Sequence, residues 1–513
     1  MLELGDNGAA RGNRVGPVDR VHFLDEQRRN RRASWRFSVF AIVALALSGL
    51  PLCILLSPPL FGLLLAVVHI VNVVAPVPAQ VWHALDDVAR AVPHGWAFIR
   101  GGEGSVPWAF VAAALVAPGA AVMLVTWAWI RILFRRVGAG GMLLRLRARP
   151  PRGDVVEELQ ITNIVEEMAI AAGVRPPHVL IIDSPAANAA AVGLTIDDAT
   201  IVVSRGLLEL DRDVRQAILA HVVGSVGNGD LKIASIILSV FQTWGLLALI
   251  IDSPFGPHSR HAIRQFVVTS RRAWRNEADR RTASRMLDRL MDGAGMTFDD
   301  LFAHTTTTER PRPLTRSLFI DLPLYVTLGV GAIASKAAIA MFTLLVFGPW
   351  VSLLWRSRRR LADATAVQLT RNPYALARAV TEMEDRNVEV EGGSAVSFLF
   401  PFWTRWAPDA PPREDIMAHV VGTQLEITQR LDSLRALGAS MDVALSATDT
   451  RPQLRAREHV VKASKELMTF IGWGAVALFL VSACVAFTLL TTSLLLWGVW
   501  VVLEFVFGRP GTV

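Results

Sequence analysis

Cysteine is nearly absent from this chain. Cys53 and Cys484 are the only two in 513 residues, and both fall inside apolar runs, which excludes a disulfide framework and a cysteine-based metal cluster. A cleavable signal peptide is not expected either. Residues 1–36 are polar, and the apolar run behind them far exceeds a signal's hydrophobic region. Internal repeats and low-complexity tracts do not stand out. The net charge of +7 and pI near 10.1 would suit a nucleic-acid binder. The arginines, however, cluster beside apolar runs, as the positive-inside rule requires of a membrane protein, so nucleic acid is excluded as a partner.

What is abundant is apolar sequence. Mean hydropathy is +0.39 and 52% of the residues are hydrophobic, which places the chain in a lipid bilayer. Residues 37–77 are almost wholly apolar, broken by Pro51 and by Pro58 and Pro59. As one helix they would extend roughly 60 Å, twice a bilayer core. A run at 106–134 contains Pro118 and leads into Arg131, Arg135 and Arg136. Arg28, Arg29, Arg31, Arg32 and Arg36 precede the first run, so both basic flanks are expected on the cytoplasmic side. The loop at 78–105, with few basic residues and with Trp82 and Trp96, is expected outside. That requires an odd number of crossings in 37–77, read here as one span plus an interfacial segment. Further apolar stretches at 233–251, 318–355 and 467–507 bring the expected total to four to six spans. Residues 257–315 form an arginine-rich polar insert whose side of the membrane the sequence leaves open.

Residues 211–230 read as a helix. Asp211 stands at the capping position, Ile218, Leu219 and Val222 recur at helical spacing, and Gly227 to Gly229 end it. His-Glu-x-x-His on such a helix would place two zinc ligands four apart on one face, with the Glu as general base. Here the five residues are His221, Val222, Val223, Gly224 and Ser225. The first histidine is present; the base and the second ligand are replaced. Taken alone, one histidine on an apolar helix is most often a hydrogen-bonded core residue.

Three stretches change that balance. They are 161–193 (ITNIVEEMAIAAGVRPPHVLIIDSPAANAAAVG), 199–221, and Asn228-Gly229-Asp230. In that order they resemble the HtpX-like membrane metallopeptidases, relatives of the CAAX prenyl peptidases, and the resemblance resumes at 357–380. It covers roughly half the chain with several separated motifs. It implies a mainly α membrane protein, with multiple transmembrane helices and a cytoplasmic α+β, gluzincin-like metallopeptidase domain holding a small β-hairpin or sheet. The chain would divide into a tail (1–36), a membrane region (37–134), the first part of the peptidase-like domain (154–230), and membrane segments (231–355) around the insert. The second part of that domain (356–440) and a C-terminal membrane region (467–507) would follow.

The resemblance also assigns positions. The family's Glu-x-x-Ala-Asp supplies the third zinc ligand and an aspartate that steadies the first histidine. Ala362-Asp363 match its end, which leaves Arg359 in the ligand position. An arginine does not coordinate zinc and repels a dication. A second Ala-Asp pair follows Glu277, but Arg275 holds its ligand position. In the helix expected at 414–437, Thr423 and Arg430 match, while Gln424 takes the place of an auxiliary histidine. The strand matched by Asn188, Ala189, Ala190, Ala191 and Val192 lies along the family's substrate cleft. The same residues read equally as an edge hairpin covering the core.

The combined expectation is a pseudopeptidase of the bacterial inner membrane. His221 is the residual ligand with Asp363 behind it, and Val222, Ser225, Arg359 and Gln424 stand where working groups belong. No cofactor is expected, and the cleft would bind a peptide or a membrane-protein partner. Gly224 and Gly227 are expected to loosen the helix, each by up to about 1 kcal/mol relative to alanine. Two alternatives stand beside this reading. One is an active zinc metalloendopeptidase drawing on His221, Asp363, Asp230 or Glu277; the other is a structural membrane protein without a cleft.

Overall fold

The computed structural model describes residues 23–81, 108–137, 146–253, 257–274, 348–385 and 427–439, with isolated positions between 83 and 143. The readings made for Arg275, Glu277, Thr423 and Gln424, all of 275–347 and all of 467–507 lie outside the described residues. The protein is mainly α, with membrane helices attached to an α+β unit that holds a three-stranded sheet. Three described helices are long and apolar enough to cross a membrane: Phe23–Ile54, Trp108–Arg136 and Asp230–Leu247.

Helix α1 (Phe23–Val74) is 52 residues long, and its backbone stays helical through Pro51, Pro58 and Pro59. The break expected there does not occur, and the rod extends about 78 Å at 1.5 Å per residue. Its exposed surface changes character once. Arg28, Arg29, Arg31, Arg32, Trp35 and Arg36 give way to Val39, Phe40, Ile42 and Val43. Helix α2 (Trp108–Val137) packs against α1 where Gly119 meets the backbone of Cys53. The Gly119 N–H donates to Ser57 Oγ at 3.0 Å, tying the two helices at their closest point.

Helix α3 (Val156–Ala172) ends at Gly173, whose φ of 66° only glycine adopts freely. The Val174 N–H returns to Ala169 O at 3.0 Å to close the helix end. Strands β1 (His178–Ile182), β2 (Ala189–Val192) and β3 (Thr200–Ser204) follow. The sheet order is β1-β3-β2, with β3 parallel to β1 and antiparallel to β2. Asp198 closes the β2–β3 turn by accepting from the Leu194 and Thr195 N–H groups. Arg149, expected in a linker, instead bridges to Ile181 and so caps the outer edge of β1. Its guanidinium grips Glu158 and Asp183 together, holding both carboxyls below the usual carboxylate range.

The strands are apolar on both faces because both faces are covered. Ile181, Ala191, Ile201 and Val203 join α3 and the helices beyond in one core. Ile182, Ala190, Val192 and Val202 pack instead against Ile130, Leu133 and Phe134 of α2. The sheet therefore lies between the first of these cores and the membrane helices.

Helix α4 (Arg212–Gly227) leads through Asn228 and Gly229 into α5 (Asp230–Asp252). Helix α6 (Pro257–Trp274) folds back along α5, bringing Trp274 beside Trp129 and Arg136 of α2. That return carries the start of the arginine-rich insert to the same end of α2 as its own arginines. Helix α7 (Gly348–Thr370) begins ten residues earlier than the family motif alone suggested. It runs antiparallel to α1: Trp350 stacks on Phe40 at 4.5 Å, and Gln27 Nε2 donates to Gln368 Oε1 at 2.7 Å. Helices α8 (Pro373–Asp385) and α9 (Ile427–Ala436) complete the described core.

Replacing Gly119 tests the α1–α2 contact. A Cβ there would fall 2.3 Å from Cys53 O, which is backbone and cannot yield without moving the helix. Gly119→Ala should destabilise by about 1–3 kcal/mol, read as a lower thermal midpoint in detergent. Gly153→Ala, which meets nothing within 4 Å, should leave the midpoint unchanged.

Candidate functional site

Helix α4 is the centre of the core: from Val214 to Val226 every side chain except Gln216 is buried. Asp211 occupies its capping position but makes no side-chain cap. Its carboxylate accepts instead from Arg378 Nη2 of α8 at 2.6 Å, which ties the helix start to its neighbour. Gly224 does not act as a weak point. A Cβ there would lie 3.0 Å from Thr365 Cγ2, so the missing side chain is what lets α7 approach α4 so closely. At the far end Gly229 takes a φ of 79°, and Asn228 Nδ2 donates to Thr365 Oγ1 at 3.2 Å. Asp230 and the Asn228 carbonyl both accept from Arg358 of α7.

That approach brings three elements onto one carboxylate. His221 Nδ1 lies 2.8 Å from Asp363 Oδ1. From α9, Arg430 donates through Nε to Oδ2 at 2.8 Å and through Nη2 to Oδ1 at 2.7 Å, the forked pairing that suits a guanidinium. His221, Asp363 and Arg430 are 3%, 4% and 1% exposed. Burial alone would raise the Asp363 pKa, but the adjacent Arg430 charge and the His221 hydrogen bond hold it well below the usual carboxylate range. Burial pushes the His221 pKa down, more than Asp363 raises it. A neutral imidazole beside an ionised carboxylate donates from Nδ1, which leaves Nε2 as the lone-pair nitrogen. Asp363 thus fixes the orientation of the His221 ring.

Arg359 is 3% exposed, and its charge acts on both His221 and Asp230. Burial, and then repulsion from Arg430, push its pKa down to about 9, so it remains a cation at neutral pH. Val222 is fully buried and apolar. The Ser225 hydroxyl donates back to Val222 O at 2.8 Å. Asp230, a ligand candidate in the enzyme alternative, is engaged by Arg358. Among the described residues, no group of three or more His, Cys, Asp or Glu is placed to hold a metal ion. One imidazole nitrogen, an inward-turned serine and an arginine do not fit a zinc ion.

Two partners escaped the sequence reading. Arg430 was visible only as a family position, with nothing to say that it would grip Asp363, 67 residues away. Arg358 lies 128 residues from Asp230, and its neighbours Arg359 and Arg360 offer the same charge. Only the helical phase of α7 distinguishes them.

The site carries a pH signature. Asp363 and His221 both have folded pKa values below their unfolded ones, so the unfolded chain binds more protons and stability is lost as pH is lowered. The loss should begin below about pH 6.5, the histidine reference, and steepen below about pH 4. Thermal midpoints across that range check it, and Asp363→Asn should flatten the acid limb. Arg430→Met, which strands the carboxylate, should cost about 3–5 kcal/mol.

Comparison with known proteins converges on one group. A protein named Protease HtpX homolog from Nitrosomonas eutropha is 36% identical over 126 residues, covering 22% of this chain and 43% of that protein. Protease HtpX of Aeromonas hydrophila is 40% identical over 95 residues, 18% of this chain and 32% of its own length. A Protease HtpX homolog of Levilactobacillus brevis is 27% identical over 233 residues, 45% of this chain and 59% of that protein. The chain spans less than two thirds of each of these relatives. No family model matches, and no solved structure matches. Over 95 to 233 residues the chain is similar to proteins named Protease HtpX or its homolog, and three of its described helices are long and apolar enough to cross a bilayer.

Proposed function

We propose that this chain is a non-catalytic relative of the membrane metallopeptidases, which keeps their scaffold and binds polypeptide without cleaving it. The observation that supports this most directly is Arg359: a buried guanidinium whose charge acts on His221 and Asp363 where the resemblance puts a zinc ligand. A fixed cation at that point opposes a dication. Loss of the general base at Val222 would by itself lower turnover by roughly 10² to 10⁴. The positive-inside rule favours a bacterial inner-membrane protein with the peptidase-like unit on the cytoplasmic side.

Polypeptide binding draws its support from the sheet. Arg149 closes the edge beyond β1, and β2 is the other edge strand of the described sheet. Its residues Ala189, Ala190, Ala191 and Val192 are all buried, so a second extended chain would pair there only after displacing what covers this edge.

Metal analysis of the purified chain tests the non-catalytic reading. Wild type should carry no stoichiometric zinc and leave an unfolded protein substrate intact. The triple variant Val222→Glu, Ser225→His, Arg359→Glu should acquire zinc. One tightly held zinc per wild-type chain, lost in His221→Ala, would overturn the reading. For binding, a photo-crosslinker at Asn188 should capture added unfolded polypeptide more strongly than one at Asp154, and equal capture at both sites would remove the strand-addition claim.

A further inference from the structure

The helices mark the bilayer surface at one common level. On α1, Phe40 stacks on Trp350 of α7, and Arg358 Nη1 donates to Ser34 Oγ at 3.4 Å, so Arg36 lies between two fixed contacts with α7. Arg358 also holds Asp230 at the start of α5. From there α5 runs antiparallel to α2, with Arg131 Nη1 donating to Ser235 Oγ at 3.0 Å and Trp127 Nε1 to Ser239 Oγ at 2.9 Å. Those contacts bring Arg135 and Arg136 of α2 to the level of Asp230. Helix α6 returns to the same level, where Trp274 stacks on Trp129 at 5.6 Å and Arg136 Cζ lies 4.2 Å over the Trp274 ring.

Cations at this level exceed their partners. Arg31, Arg32 and Arg36 of α1, Arg135 of α2, and Arg271 and Arg272 of α6 are exposed. None of the six forms a salt bridge among the described residues. Arg32 and Arg36 stand one turn apart, a like-charge spacing that disfavours the helix unless an anion sits between them. Trp35 lies beside them at 70% exposure, and one turn farther the surface becomes Val39 and Val43. Orientation by the positive-inside rule asks only for positive charge. It does not call for an exposed indole at the boundary or a guanidinium laid over stacked tryptophans.

We propose that this collar binds the phosphate headgroups of anionic phospholipids. One seat is Arg32, Trp35 and Arg36 on α1, with the acyl chains along Val39 and Val43. A second is formed by Arg136, Trp274, Arg271 and Arg272 where α6 meets α2. A forked guanidinium suits a phosphate diester, and the indole ring sits at the depth where headgroup meets hydrocarbon.

The test places the full chain in nanodiscs of phosphatidylcholine alone, or of phosphatidylcholine with phosphatidylglycerol. Anionic discs should raise the thermal midpoint, and native mass spectrometry should find phosphatidylglycerol retained after delipidation. Arg32→Gln with Arg36→Gln should weaken that retention by about tenfold or more, as two arginines at a bilayer surface warrant. Should that variant fail to insert, Arg32→Lys, Trp35→Ala and Arg36→Lys together preserve the charge that sets orientation and should still weaken retention several-fold. Equal midpoints in both lipids, or unchanged retention in the variant that inserts, would overturn the proposal. So would inorganic phosphate reproducing the stabilisation in phosphatidylcholine discs, since that assigns the cations to a free anion.

Discussion

One carboxylate organises the centre of this protein. Asp363 accepts from His221 of α4 and from Arg430 of α9 while itself belonging to α7, so three elements distant in sequence meet on its two oxygens. A buried aspartate without such partners would be neutralised or expelled. With them it is held ionised, fixes the imidazole in one tautomer, and gives α9 a reason to dock. Arg358 and Asp230 repeat the device one level lower, at the turn from α4 into the membrane helix α5. Gly224 makes both pairings possible, because only a residue without a side chain lets α7 lie so close.

The same arrangement separates orientation of the histidine from catalysis by it. A buried carboxylate orients the imidazole. Around the pair stand an apolar side chain, a serine hydroxyl bonded to its own helix, and the Arg359 guanidinium. The buried polar network is the costly part to keep, since a half-satisfied one destabilises the core, and it is the part retained.

Much of the fold was legible in local signals. The helix read at 211–230 appears as Arg212–Gly227, and the apolar runs at 106–134 and 233–251 appear as α2 and α5. What escaped was tertiary. The prolines at 51, 58 and 59 are breakers in an isolated chain, yet the α1 backbone continues through them, with tertiary packing against α2 and α7 outweighing propensity. Gly224 looked like a weakness because its packing partner lies 141 positions away on another helix. Asp211 fitted a capping pattern, but a guanidinium on α8 was the better partner. His221 and Asp363 were found through a motif; Arg430 needed the docking of α9, which periodicity does not describe.

The antiparallel pairing of α1 and α7 acts as a ruler. Helix α7 stacks Trp350 on Phe40 and carries Asp363 thirteen residues farther along, so His221 and its carboxylate stand about 20 Å of helix above that aromatic contact. Two long helices clamped from Trp350 to Gln368 keep that height rigid.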